Sequence, residues 1–323
     1  MCESKHAKEI MQEKQLGQSG IDIAPIVFGG NVLGWTTDTK RSFELLDRCV
    51  ERGFNTVDTA DVYSAFAPGH SGGESEEVLG RWLAQRGRRD DIILMSKVGM
   101  LEQRKGLSAG NIEGAVEDSL RRLGTDYLDV YFAHIDDQDV PLEDTLGAFG
   151  RLVDKGKVRA LGASNYSAAR TKQALELSEK MGLPRYEVLQ PEYNLYDRAG
   201  FETDLAGLAE EKALGVVGYS ALASGFLTGK HLRIEDLSDR PRAQFITRYF
   251  DERGKRVLQG LLEAAAALQA KPAQIALAWL MARRGITAPI VSATSIEQLD
   301  ELLDAVNVVI PEEWMTRLEA ASG

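Results

Sequence analysis

Eight short apolar, β-branched runs, each separated from the next by a longer stretch of helical spacing, constrain this chain more than any other feature. The runs are Ile26–Gly29, Asn55–Asp58, Ile92–Lys97, Leu128–His134, Val158–Ala163, Val188–Gln190, Val216–Tyr219 and Pro289–Ala293. Helical spacing covers Arg41–Arg52, Ser75–Gln85, Gly110–Leu123, Leu142–Lys155, Ser167–Lys180, Phe201–Ala213, Asp251–Gln269 and Ile296–Leu303, mostly ending near a glycine or a charged turn. Alternation of this kind calls for a parallel sheet with crossover helices. Eight such units in 323 residues predict an α/β fold, a closed (β/α)8 TIM barrel, which takes about 250 residues. An open doubly wound sheet is the alternative. Against it, Gly29, Gly30 and Gly34 are wrongly spaced for a Gly-x-Gly-x-x-Gly turn, and no helix entry follows them. A dinucleotide would have to bind by other means.

Two segments stand outside the alternation. Gln15–Ile23 reads as two short strands around a Gly/Ser turn, an N-terminal β-hairpin able to plug the bottom of a barrel. Thr228–Tyr249 is polar, rich in Arg and Asp, and too long for an ordinary connection after the seventh strand; long irregular loops in compact folds tend to be functional lids. The whole chain, 1–323, reads as one domain, with 1–14 as a flexible extension.

Charge and composition remove several function classes. With 38 Lys+Arg against 49 Asp+Glu the net charge is −11, which argues against a nucleic-acid binder, because such a protein needs a basic stripe to neutralise phosphates. Hydrophobic residues at 44% and charged residues at 27% suit a globular chain with a large core. Runs such as 91–96 and 261–268 are interrupted well short of the roughly 20 apolar residues of a membrane span. Met1–Gln15 has no apolar stretch of the secretory kind, so a cytoplasmic location is expected. Cys2 and Cys49 cannot build a disulfide framework or a zinc cluster, and Cys49 is expected to be a small core hydrophobe.

In a barrel of this type reactive groups gather at the C-terminal ends of the strands. Strand two ends in Asp58-Thr59-Ala60-Asp61-Val62-Tyr63, strand three in Ser96-Lys97 and strand four in His134. Taken singly, Asp58 could cap a turn, Tyr63 could pack, Lys97 could be solvated and His134 could be a satisfied core histidine. Together they bring carboxylate, phenol, amine and imidazole to one rim. Lysine at the end of Ile92-Ile93-Leu94-Met95-Ser96 should be mostly buried and in need of a partner, which Asp58 on the adjacent strand supplies. A phenol with an ordinary pKa of about 10 is a weak acid, and an adjacent ammonium is expected to pull Tyr63 toward the working range. Tyr63 then becomes a proton donor and His134 a group that orients a carbonyl.

These residues resemble the aldo-keto reductases, NAD(P)H-dependent enzymes on a (β/α)8 barrel. The resemblance runs from Leu16-Gly17-Gln18-Ser19-Gly20 to the helix near Trp314. It includes Gly53–Ala60 through Tyr63, Gly73-Glu74-Ser75-Glu76, Gly162-Ala163-Ser164-Asn165-Tyr166, Gln190-Pro191-Glu192-Tyr193-Asn194 and Tyr219–Lys230. It implies that Asp58, Tyr63, Lys97 and His134 are catalytic, with Tyr63 the acid in carbonyl reduction. It implies further that Ser164, Asn165 and Gln190 hold the nicotinamide carboxamide and that the ring stacks on Tyr219. Ser220, Leu222, Ser224, Gly225, Leu227 and Lys230 match the positions that wrap the pyrophosphate, and the long loop becomes a segment that folds over the cofactor. Ser292, Ala293, Thr294, Gln298 and Glu301 match the adenosine end.

Two departures are informative. Relatives often carry Lys or Arg after strand eight for the 2′-phosphate of NADPH, and Val291–Leu302 contains no cation. NADP(H) is therefore what the resemblance implies and NAD(H) is a live alternative, with Arg233, Arg240, Arg242 and Arg248 as candidate substitutes. After His134, Ile135-Asp136-Asp137 replaces the common Pro and Asp; without a second clustered histidine it makes no metal site, and none is expected. Trp35 and Phe66 are candidate walls of a substrate pocket, and Ala65–Gly73 a flexible insertion beside it. A small-molecule carbonyl or alcohol is the expected partner. The competing readings are a cofactor-binding accessory or redox-sensing subunit with little turnover, which the same family includes, and a metal-dependent barrel hydrolase, which lacks a ligand cluster.

Overall fold

The computed structural model describes residues 13–234 and 243–323. Eight parallel strands close into a barrel: β1 (Val27–Gly29), β2 (Thr56–Asp58), β3 (Ile93–Val98), β4 (Leu128–Ala133), β5 (Val158–Ser164), β6 (Tyr186–Gln190), β7 (Gly215–Gly218) and β8 (Ala288–Val291). Closure is made by Ile290 and Val291 of β8 lying opposite Val27 and Phe28 of β1. All eight runs read from the sequence are strands, with ends shifted by a residue or two.

Period-two alternation sorts the strand residues into an inner and an outer set. Phe28, Val57, Leu94, Tyr131, Leu161, Leu189 and Val216 face outward into the layer beneath the helices, whereas Val27, Met95, Val130, Phe132, Ala160, Val188, Val217 and Ile290 fill the barrel. Gly162 makes room for Phe132: a Cβ there would lie 2.3 Å from two atoms of the ring. Gly162→Ala is therefore expected to cost about 1–3 kcal/mol by overpacking, read as a lower denaturation midpoint in urea at unchanged slope.

The outer helices are α1 (Thr39–Glu51), α2 (Glu74–Arg86), α3 (Ala109–Leu123), α4 (Leu142–Asp154), α5 (Ala168–Met181), α6 (Leu205–Glu211), α7 (Glu252–Ala267), α8 (Pro272–Ala282), α9 (Ile296–Leu303) and α10 (Glu312–Ser322). Side chains of Asp38, Ser108, Ser167, Asp251 and Ser295 cap five of their N-termini. The single helix expected at Phe201–Ala213 is instead a one-turn helix, Ala199–Glu202, followed by α6. Helix α8 has no counterpart in the sequence reading. Its residues 273 and 275–280 are all buried, so it carries no polar stripe and no amphipathic period.

Lys14–Gln15 pairs antiparallel with Asp22–Ile23, and Leu16, Ile21 and Ile23 enter the barrel's apolar interior. Gly17 turns there with φ +62°, where a Cβ would sit 2.5 Å from the Glu187 carbonyl oxygen and 2.6 Å from the Gly215 nitrogen. The hairpin thus closes the N-terminal end of the barrel, as the sequence predicts. Of the extension expected over 1–14, residues 1–12 with Cys2 lie outside the described residues, as do Arg240 and Arg242 of the long loop, whereas Lys14 already belongs to the hairpin strand. Cys49 is buried in the core and its thiol is pushed up to about 12 by burial, an inert small hydrophobe. Among the described residues no helix is long and apolar enough to cross a membrane.

Candidate active site

One step beyond the apolar filling, each strand places its next inward position at the C-terminal mouth: Gly29, Asp58, Lys97, His134, Ser164, Gln190, Tyr219 and Ser292. Seven of the eight are polar. Lys97 and Asp58 are 0% and 1% exposed, and Lys97 Nζ donates to Asp58 Oδ2 at 2.7 Å, to the Thr59 carbonyl at 2.8 Å and to Tyr63 Oη at 2.8 Å. All three ammonium protons are thereby matched. The Tyr63 hydroxyl proton points to Asp58 Oδ2 at a longer 3.2 Å, and Gln190 Nε2 donates to the remaining oxygen, Asp58 Oδ1, at 2.8 Å.

The turn that carries Tyr63 is pinned from both sides. Thr59 Oγ1 and Ser75 Oγ are 2.8 Å apart, and Ser75 Oγ donates to the Gly30 carbonyl. Ser64, in the left-handed region at φ +75°, donates to the Leu33 carbonyl. Such fixed geometry is what a proton donor needs.

Electrostatics in this site run partly against the sequence reading. Tyr63 is pushed well above the ordinary tyrosine range, first by burial and then by the Asp58 carboxylate. The expected downward pull from Lys97 is outweighed, because that lysine's charge is already matched by Asp58. Burial lowers Lys97, with Asp58 opposing. Burial also lowers His134 well below the usual histidine range, Lys97 adding to the effect, so the imidazole is neutral. Its ring stands edge-on to Tyr63 with centroids 6.2 Å apart, and its buried Nδ1 has no hydrogen-bond partner.

The expected nicotinamide-binding residues lie together. Asn165 Nδ2 donates to the His134 carbonyl at 2.9 Å and to Ser164 Oγ at 3.2 Å, and Tyr219 donates to Asn165 Oδ1 at 2.8 Å. Ser164 Oγ donates to the Gln190 carbonyl. A cavity of about 320 Å³ opens beside them, bounded by Tyr166, Glu192 and Leu205. Past Tyr219 the chain makes an unusual turn: Ser220, Ala223 and Ser224 have φ of 55°, 49° and 57°, and Gly225 has φ of 106°. Left-handed conformations in non-glycine residues cost about 1–2 kcal/mol each, and such turns direct backbone N–H groups into anion-binding concavities.

The other expected contact residues have the following surroundings. Leu227 and Ala293 are buried in the core, and the Leu227 N–H donates to the Leu222 carbonyl at 3.2 Å. Lys230 is exposed. Arg248 reaches Glu192 at 2.6 Å and Asp197 at 3.2 Å, and its charge acts on Tyr219 rather than at the end of β8. At that end Ser292 Oγ bonds the Gly29 carbonyl and Asn31 Oδ1, while Gln298 Oε1 accepts from Thr294 N at 2.9 Å. Glu301 accepts through its carbonyl from Gln274. Trp35 and Phe66 meet edge to face at 4.6 Å, with Phe66 59% exposed. Asn31, Thr59 and Ser75 were not read from the sequence; Thr59 and Ser75 stand inside motifs quoted for the resemblance. Among the described residues no three His, Cys, Asp or Glu side chains cluster as a metal site.

Comparison with known proteins agrees with this geometry. The profile of the aldo/keto reductase family matches residues 25–322. A probable voltage-gated potassium channel subunit beta of Arabidopsis thaliana is 33% identical over 309 residues, 93% of this chain and 92% of that protein. The uncharacterized oxidoreductase YrpG of Bacillus subtilis is 31% identical, covering 95% of each chain. An aldo-keto reductase of Alternaria alternata is 32% identical over 95% of this chain and 91% of its own length. With a barrel of eight parallel strands, a polar layer at its C-terminal mouth and a profile match over nearly its whole length, the chain belongs to the aldo/keto reductase family, whose members carry out NAD(P)H-dependent oxidoreduction.

Proposed function

We propose that this protein transfers a hydride between NAD(P)H and an aldehyde or ketone, with Tyr63 giving the proton to the carbonyl oxygen. The observation that carries the reading is the Tyr63 hydroxyl held 2.8 Å from a fully buried Lys97 that is itself paired with Asp58. The dinucleotide supplies the hydride when bound. The chain's own residues do the rest. Tyr63 loses its O–H proton as the alcohol O–H forms, and the phenolate left behind keeps its hydrogen bond from Lys97. Asp58 holds Lys97 charged and in place. His134, neutral, donates one ring N–H to the substrate oxygen and so orients it. The donor set fits a nicotinamide: two side-chain amides and a hydroxyl at Ser164, Asn165 and Gln190 beside the Tyr219 ring, followed by the left-handed turn at Ser220–Gly225 for phosphate oxygens. Trp35 and Phe66 supply an apolar wall for the substrate.

Cofactor choice turns on the adenosine end. Thr294 and Gln298 offer uncharged hydrogen bonds there, and Arg248 is committed to Glu192 and Asp197. This favours NADH use alongside NADPH. Thr294→Arg is expected to tighten NADPH about tenfold relative to NADH, since a charge-assisted bond to phosphate is worth roughly 1.5 kcal/mol or more. An equal response from both dinucleotides would show that this loop does not face the 2′ position.

Fluorescence titration with each dinucleotide, followed by steady-state assays on simple aldehydes and ketones, tests the whole reading. Failure to bind either dinucleotide overturns it. A second reading is favoured by the potassium channel beta subunits among the relatives: a cofactor-binding accessory subunit with little turnover. Sustained turnover separates the first from the second, which predicts at most a single slow round per bound cofactor.

A further inference from the structure

Behind the Lys97–Asp58 pair lies a buried charged cluster that the proposed chemistry leaves unused. Asp61, on the turn between β2 and Tyr63, is 0% exposed, and neither carboxyl oxygen makes a hydrogen bond. Arg122, the Val62 backbone N–H and Lys97 favour its charged form, but burial and Glu76 outweigh them. Groups from four elements surround it. Glu76 of α2 is buried and accepts from Ser96 Oγ of β3 at 2.6 Å and from Arg122 of α3 at 2.7 Å. Lys97 of β3 also acts on it, and the buried Tyr131 phenol of β4 feels both Asp61 and Glu76.

Charge matching fixes the outcome. Asp58, Asp61 and Glu76 face two cations; Lys97 is bound to Asp58 at 2.7 Å, and Arg122 to Glu76 at 2.7 Å. Asp61 is the carboxyl left without either. An ionised carboxylate so buried and so unpartnered is unfavourable, and the group keeps its proton instead. We propose that Asp61 stands as a neutral carboxylic acid and acts as a positioning residue through Lys97: without a charge of its own it leaves the Lys97 ammonium committed to Asp58 and to the oxygen of Tyr63, where the phenolate forms when the proton is given up. The inference rests on the reading of Tyr63 as proton donor, but the protonation of Asp61 does not. Burial, reinforced by Glu76, pushes Asp61 up to about 8.

The test is Asp61→Asn, which is permanently neutral and nearly the same shape. Thermal melting of wild type and variant is followed from about pH 5 to about pH 9. A carboxyl raised in the folded state stabilises fully below its unfolded value, and that advantage is lost as pH rises toward the folded one. The wild type is therefore expected to lose ground to the variant steadily up to about pH 8 and no further. In parallel, wild-type kcat/KM for reduction should fall about tenfold between pH 7 and pH 9, and the variant should match wild type at pH 7 but lack that fall. Glu76→Gln, which frees Arg122 to face Asp61, should move both inflections to lower pH.

Parallel melting curves for wild type and Asp61→Asn overturn the neutral acid, whatever the activity. Diverging melting curves with identical pH–rate profiles overturn the link to Tyr63 while leaving the proton on Asp61. Absence of turnover in wild type would count against Tyr63 chemistry itself, and the melting comparison would still decide the protonation state.

Discussion

Tyr63→Phe is expected to lower the rate of carbonyl reduction by a factor of about 10²–10⁴ while leaving dinucleotide affinity essentially unchanged. The hydroxyl contacts Lys97 Nζ and Asp58 Oδ2, and none of the amides beside Tyr219. Its removal leaves Lys97 bonded to Asp58 and the Thr59 carbonyl, so the buried ammonium loses one of three acceptors but keeps its counter-charge, and the fold survives. Fluorescence titration with NADPH and NADH alongside steady-state kinetics separates the two quantities. Equal loss of binding and turnover would place Tyr63 in the cofactor contact instead of at the proton.

A still larger effect on the fold is expected at Asp58→Ala. Asp58 accepts from Lys97 at 2.7 Å, from Gln190 at 2.8 Å and from Tyr63 at 3.2 Å. Truncating it leaves a fully buried ammonium without a counter-charge, which costs about 3–5 kcal/mol. Burial already lowers Lys97, and without Asp58, its main opposition, only Asp61 and Glu76 still act against that lowering. A lysine lowered in the folded state binds fewer protons there than when unfolded, so the variant gains stability as pH rises. Urea denaturation at neutral pH should give a sharply lower midpoint, with the deficit shrinking on the alkaline side. A deficit that does not change with pH would mean that packing, and not the stranded charge, carries the loss.

Much of the site was legible because a parallel barrel imposes period two on every strand. Once Lys97 follows Met95 and Gln190 follows Val188, the inward face passes from apolar to polar at the same height on each strand, and the end of each run names its candidate residue. His134 follows Phe132 and Ser164 follows Gly162 in the same way. Helix α8 was illegible because burial on all sides erases the periodicity that reveals a helix. The direction of the Tyr63 shift was missed for a different reason. Sequence places Lys97 near Tyr63, but only the geometry shows that Asp58 takes up its charge and that burial of the phenol dominates. Arg248 likewise looked free to meet a phosphate until Glu192 and Asp197 were seen to hold it. Contacts between segments far apart in the chain decide such cases, and no local pattern encodes them.

The hairpin at the lower end has a practical consequence. Leu16, Ile21 and Ile23 stopper the barrel, and Lys14 Nζ fastens the strand to the carbonyls of Met281 and Ile286 at 3.3 and 3.2 Å. Lys14 therefore sits at the pole opposite the polar layer, with the apolar filling of the barrel between them. A fusion partner or a surface tether attached there leaves the mouth open to dinucleotide and substrate, so the protein can be held by one end while its chemistry is watched at the other.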